Sequence, residues 1–243
     1  MKMRIGGILD FSSLDYPKKI ASVIFMSGCN FRCPFCHNPE LVEGKEPNEV
    51  EIDSMVQELS NYREFIDGVA ITGGEPTLQP EALRELCMKL KAIGFKIKLD
   101  TNGSNPHILK GLLDDKLIDF VAMDVKAPFE KEKYESVCKG GAFIDRVKES
   151  YNMILNSGIG YEFRIPVVPT LNSHMLDEIA VHVKDSDIFV LEQFSNEKCY
   201  DPAFNKIESP SEEEMESFAK KFNNKMVRIR TRNGERQISK SGA

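Results

Sequence analysis

Cys29, Cys33 and Cys36 lie in the stretch SGCNFRCPFCHNPE with the spacing C-x₃-C-x₂-C, which puts three of the chain's six cysteines within eight residues. Three thiols are one short of a closed four-ligand metal site and one too many for a disulfide. Soft thiolates select zinc, copper(I) or iron–sulfur clusters. A structural zinc would need a fourth ligand, and His37, adjacent to Cys36, is not at a familiar zinc spacing. A [4Fe–4S] cluster held by three cysteines leaves one iron open to a small molecule. Gly28 and Pro34 suit the tight loop that such a site requires.

Further segments carry polar or glycine-rich chemistry: GGEP at residues 73–76, LDTNG at 99–103, AMDVKAP at 122–128, RIPVVPT at 164–170 and LEQF at 191–194. Glycines let main chain come close to a neighbour and adopt angles other residues avoid. Asp and Lys at strand ends can bind a ligand, or more plainly form ion pairs and helix caps.

The elements around these segments would bring them to one edge. Short β-branched or aromatic runs at residues 21–26, 68–72, 95–100, 119–125, 161–167 and 188–194 read as strands. Helical patterns at 48–61, 80–93, 106–113, 143–156 and 174–183 lie between them. This alternation predicts parallel βαβ units, a partial barrel or open twisted sheet, with each motif at a strand's C-terminal end, where ligands gather. An extra strand over 5–11 precedes them, and Ser211 with Glu214 forms a capping box for a terminal helix.

At 243 residues, 41% hydrophobic and 29% charged, the composition fits an ordinary globular core. No apolar run approaches the roughly 18 residues of a membrane span, the best being IASVIFM. MKMRIGGILDF lacks the apolar region and cleavage site of a signal peptide, so the expected location is cytoplasmic, with no membrane partner and reduced thiols. The net charge of −6 argues against a nucleic-acid partner. Arg228, Arg230, Arg232, Arg236 and Lys240 are the local exception. They read as a charged, solvated edge strand rather than a binding patch, with a tight turn at Asn233-Gly234.

The cysteine spacing at a first strand end, with Phe35 just before the third cysteine, resembles the radical S-adenosylmethionine (SAM) enzymes. The resemblance implies an α/β fold, a partial (β/α)6 TIM-like barrel with short N- and C-terminal additions. A core domain would span 1–200 and a helix–strand extension 201–243. It implies that Cys29, Cys33 and Cys36 hold a [4Fe–4S] cluster whose open iron chelates the amino and carboxylate groups of SAM. Reductive cleavage would then yield methionine and a 5′-deoxyadenosyl radical that abstracts a hydrogen atom, so no side chain acts as general acid or base. Phe35 would face the adenine. Gly73, Gly74 and Glu75 resemble the motif that binds the methionine amino group.

LDTNG and AMDVKAP resemble the glycyl-radical-enzyme activases, which include the pyruvate formate-lyase activating enzyme. Over residues 6–194 the likeness is greatest to the anaerobic ribonucleoside-triphosphate reductase activating proteins. By that resemblance Asp100, Thr101 and the Ala122 carbonyl would hold a monovalent cation, Na⁺ or K⁺, beside the methionine carboxylate. Asp124 and Lys126 would contact the methionine portion, and Arg164 would approach from the fifth strand. The implied partners are a glycyl-radical enzyme as protein substrate and an electron donor such as flavodoxin or ferredoxin. Two alternatives stand beside this: radical chemistry on a nucleotide-like metabolite or tRNA base, and a non-enzymatic iron–sulfur or zinc protein.

The chain also departs from the group. Gln193 or Ser195 stands near the place of a sixth-strand histidine, and Lys18 stands where glycine is usual. Cys87, Cys138 and Cys199 read as small buried residues, and His107, His174 and His182 receive no role.

Overall fold

The computed structural model describes residues 1–44, 48–224 and 226–238, so Lys240 lies outside the described residues. Two compact units divide the chain: Met1–Asn30, Glu40–Ala122 and Glu149–Gly160 in one, Phe31–Pro39, Met123–Lys148 and Tyr161–Ala243 in the other.

The first unit holds β1 (Lys2–Ser12), β2 (Ala21–Met26), α1 (Pro39–Glu43, from its second residue), β3 (Asn48–Glu51), α2 (Ile52–Ser60), β4 (Gly68–Gly73), α3 (Pro80–Ala92), β5 (Lys96–Thr101) and α4 (Pro106–Asp114). β6 (Phe120–Asp124) gives residues to both units. The strand order is β3-β1-β2-β4-β5, with β2, β4 and β5 parallel and β1 antiparallel to both neighbours. Parallel strands covered on both faces need continuous apolar runs. Accordingly Val23, Ile24, Val69, Ala70, Ile71, Ile97 and Leu99 are wholly buried. α3 packs one face inward through Leu83, Leu86, Cys87 and Leu90, opening at Pro80 and stopping at Gly94, whose φ is +89°.

The single helix expected over 48–61 is in fact β3 followed by α2. Met3 pairs with Val50 and Arg4 with Glu49, and the Ile52 N–H then donates to the Met1 carbonyl. A neighbouring strand thus captures the first turn of the helical pattern. Lys18 sits at φ +61°, the left-handed conformation a glycine would take.

The second unit holds α5 (Lys131–Cys138), β7 (Gly160–Val167, from its second residue), α7 (Ser173–His182), β8 (Ile188–Gln193), α8 (Glu212–Ala219), β9 (Met226–Thr231) and β10 (Gly234–Ile238), while α6 (Ile144–Leu155) is shared. β7, β8 and β9 are parallel, and β10 returns antiparallel on β9. The arginine-rich segment is therefore not an edge strand. β9 lies between β8 and β10, and the expected turn joins Thr231 to Gly234. The capping box of α8 is present: the Glu214 N–H donates to Ser211 Oγ, and the Ser211 N–H to Glu214 Oε2. α1 and α5 escaped the periodicity because each is short. In α5 the buried Tyr134, Val137 and Cys138 are outnumbered by charged residues.

Candidate active site

In the first unit, the C-terminal ends of β2, β4 and β5 carry the Cys29, GGEP and DTNG segments. The GGEP loop is tied to the cysteine loop through main chain. The Gly74 N–H donates to the Met26 carbonyl at 2.9 Å, and the Glu75 N–H to the Gly28 carbonyl at 2.8 Å. A Cβ on Gly73 would lie 2.4 Å from Met26 N and O, and one on Gly74 would lie 2.1 Å from Gly28 O. Within the protein, close backbone approach accounts for both glycines: Gly73 packs on Met26 at the end of β2, and Gly74 on Gly28 of the cysteine loop.

Glu75 is 1% exposed, and its carboxylate accepts four hydrogen bonds. Thr77 N–H (3.1 Å), Thr77 Oγ1 (2.5 Å) and Thr101 Oγ1 (2.9 Å) donate to Oε1, and the Asn102 N–H (2.7 Å) donates to Oε2. Burial pushes its carboxyl above the ordinary range, and these donors only partly offset that. Glu75 thereby pins the end of β4 to the end of β5. Asn102, which the sequence reading did not single out, extends this frame to the first cysteine. Its Nδ2 donates to Asn30 Oδ1 at 2.9 Å and faces Cys29 Sγ at 3.9 Å, and its Oδ1 accepts from the Ser104 N–H. The DTNG tetrad carried the signal, because its asparagine follows the two residues already chosen. Asp100 accepts from the ammonium of Lys98, two residues earlier on the same face of β5. Ala122 is buried near the end of β6.

In the second unit, Cys33 is buried and its thiol donates to the Cys138 carbonyl at 3.7 Å, which also accepts from the Arg32 N–H at 3.3 Å. The hydrogen bond with Cys138 and burial push the Cys33 thiol up, against the charge of Lys126. The Cys36 N–H closes a turn onto the Cys33 carbonyl. Tyr200 and Asp201 then strap the loop through N–H donation to the Cys36 and Pro34 carbonyls, both at 2.8 Å. Phe35 is 7% exposed. Cys138, expected as an incidental buried residue, thus positions the middle cysteine. Its carbonyl takes part in this, and residue type cannot reveal a main-chain contact.

Asp124, Lys126 and Arg164 meet. Lys126 Nζ lies 2.8 Å from Asp124 Oδ2, and Arg164 Nε lies 3.0 Å from Asp124 Oδ1. Burial raises the Asp124 carboxyl, but the two cations outweigh it and hold the group far below the ordinary range. Arg164 also lies 4.0 Å from Glu192, which Arg230 contacts at 2.5 Å. Arg230 and Arg228 both pair with Glu235 and with the buried Glu162. The arginines of β9 are therefore the far end of an alternating charge chain that starts at Lys126. Gln193 braces the C-terminal segment, donating to the Pro210 carbonyl and accepting from the Arg232 N–H.

Comparison with known proteins decides the family. The model of the Radical SAM superfamily matches residues 23–183.

The chain belongs to the radical SAM superfamily.

A Methanocaldococcus jannaschii protein named "Putative glycyl-radical enzyme activating enzyme MJ1227" is 38% identical over 247 residues, covering 98% of this chain and all of that protein. The pyruvate formate-lyase-activating enzyme of Staphylococcus aureus (strain USA300) is 32% identical over 136 residues, 52% of this chain and 54% of that protein. A solved structure of TYW1 with a lysine-pyruvate adduct bound shares the fold at a TM-score of 0.61 and 17% identity, covering 86% of this chain and 75% of that one.

As a radical SAM oxidoreductase the chain has the superfamily's α/β fold, and its cofactors are a [4Fe–4S] cluster and SAM. The donor chemistry fits the cluster: none of the six cysteines is in a disulfide, and the three in the loop offer soft thiol ligands. Among the described residues no helix is long and apolar enough to cross a membrane.

Proposed function

We propose that this radical SAM enzyme is a glycyl-radical-enzyme activase, which makes a glycyl radical on a partner protein such as anaerobic ribonucleoside-triphosphate reductase. The observation that carries the reading is the similarity to the Methanocaldococcus protein, which covers 98% of this chain and so reaches both motif-bearing units. Cys29, Cys33 and Cys36 hold the cluster. When bound, the cluster and SAM supply a 5′-deoxyadenosyl radical, given one electron from a donor such as flavodoxin or ferredoxin. The chain's own residues bind and orient. Asp124, Lys126 and Arg164 form a preset charge group for the amino and carboxylate ends of the methionine moiety, and Phe35 faces the adenine. Gly73 and Gly74 bring main chain to the methionine amino group. Glu75 acts as a brace that fixes this loop against β5, because its carboxylate already accepts four internal donors. The N-terminal 200 residues form the catalytic core, with 201–243 as an extension.

The tRNA-base or metabolite alternative drew on the β9 arginines. Arg228 and Arg230 are paired with Glu162, Glu192 and Glu235, so that motive for the alternative lapses. The test is anaerobic mixing of the reconstituted, reduced enzyme and SAM with each glycyl-radical enzyme of the same cell. The expected result is a glycyl-radical doublet in electron paramagnetic resonance on one of them. No radical on any of them, together with deuterium transfer from a labelled small metabolite into 5′-deoxyadenosine, overturns the activase reading.

A further inference from the structure

Lys98 is a lysine inside β5, 2% exposed, and its ammonium is on the carboxylate of Asp100, itself 8% exposed. Its registered neighbour on β4 is Ala70, which pairs in turn with Val23 on β2, so the row around it is apolar. A buried ammonium is tolerated where a carboxylate compensates it, and here that carboxylate is Asp100. Asp100 is also the residue that, by resemblance to the activases, would bind Na⁺ or K⁺. A second cation placed on the same carboxylate would meet the Lys98 charge at close range in a poorly screened interior. The Thr101 hydroxyl assigned to that cation is engaged as well: it donates to Glu75 at 2.9 Å and accepts from the Gly103 N–H at 3.1 Å. The residues present therefore do not fit a free monovalent ion.

We propose that Lys98 is a built-in substitute for that ion: its ammonium supplies beside Asp100 the positive charge for which the activases borrow a monovalent cation. The inference rests on the reading of Asp100 as part of the SAM pocket. Two consequences follow. SAM binding by this enzyme is independent of the monovalent salt present, and removing the ammonium creates a dependence that the wild type lacks. Lys98 acts on the bound carboxylate through charge, as a positioning residue.

The test measures SAM affinity of the anaerobically reconstituted enzyme by equilibrium dialysis, and its thermal midpoint, in choline, sodium and potassium chlorides at one ionic strength. The wild type is expected to vary less than twofold in affinity among the three salts, with an unchanged midpoint. Lys98→Met is expected to bind SAM at least tenfold more weakly in choline and to recover to within threefold in NaCl or KCl. Lys98→Arg, which keeps the charge, is expected to show no salt response, and it decides the matter with the wild type if Lys98→Met does not fold. A wild-type affinity that falls tenfold in choline and returns with Na⁺ or K⁺ overturns the proposal while leaving the SAM pocket reading intact. Weak binding by a folded Lys98→Met that no cation restores also overturns it. Wild-type affinity in Lys98→Met overturns it too, and in that case removes the β5 carboxylate from the SAM pocket.

Discussion

Gly74 stands so close to Gly28 that a Cβ on it would lie 2.1 Å from the Gly28 carbonyl oxygen. The contact joins the loop after β4 to the loop after β2, one residue before Cys29. The place of the first cysteine is therefore set by a neighbouring strand end as well as by its own loop. Glu75 continues the same line to β5 through Thr101 and Asn102.

Gly74→Ala is expected to force these two loops apart. Overpacking of this kind costs about 1–3 kcal/mol, and the Glu75 N–H bond to Gly28 lies directly in its path. The variant should show a lower urea midpoint and hold substoichiometric iron after reconstitution. Wild-type iron content with an unchanged midpoint would mean that the loops yield freely.

Asp124 joins two cations inside the second unit, and Asp124→Asn would leave Lys126 and Arg164 without their shared carboxylate. The three side chains are partly buried, and breaking the group costs about 3 kcal/mol near neutrality, the low end for buried pairs. Since the folded pKa is depressed, the stabilisation is fully present above the ordinary value near 3.9 and is lost as pH falls toward the folded value. The gap in unfolding free energy between wild type and Asp124→Asn should accordingly narrow by roughly 1.4 kcal/mol per pH unit below about pH 3.9. Denaturant titrations from pH 7 to pH 3 check this, and a gap that stays constant would contradict it.

Arg230 contacts Glu192, Glu162 and Glu235. Arg230→Met strands part of that negative charge, and the expected loss is about 3 kcal/mol, seen as a lower thermal midpoint. Retention on an RNA column should not change, because the guanidinium is already paired within the protein. Weaker RNA retention at unchanged stability would restore the binding-patch reading of β9.

Lys18 holds a left-handed backbone angle that costs an ordinary residue about 1–2 kcal/mol. Lys18→Gly should therefore stabilise the protein by roughly 0.5–1 kcal/mol, after allowing for the greater freedom of glycine in the unfolded chain. An increase in urea midpoint without a change in slope is the expected observation, and a decrease would show that the lysine side chain has a stabilising contact.

Much of this architecture was legible in the sequence, for identifiable reasons. The six predicted strands stand because parallel strands need unbroken apolar runs, and Val69, Ala70 and Ile71 supply one. The α8 cap was legible because Ser211 and Glu214 act on each other locally. What escaped depends on distant partners. β3 forms because β1 lies beside it, and Glu49 and Val50 alone suit a helix as well. The β9 arginines looked like a solvated face, since their glutamates come from β7, β8 and β10. Glu75 looked like a ligand contact because two of its four donors, Thr101 and Asn102, lie on β5 and just beyond it, far from its own turn. The Lys98–Asp100 pair was in plain view at spacing two on β5, but only burial distinguishes it from surface charge.

The most direct test of the account is the iron and 5′-deoxyadenosine produced by the wild type and by Cys29→Ala, Cys33→Ala and Cys36→Ala, each reconstituted anaerobically and reduced with SAM present. The wild type should carry about four irons per chain and form 5′-deoxyadenosine, and each variant should lose the cluster and the product together. A colourless, zinc-loaded wild type that forms no 5′-deoxyadenosine, or undiminished product from Cys33→Ala, would contradict it.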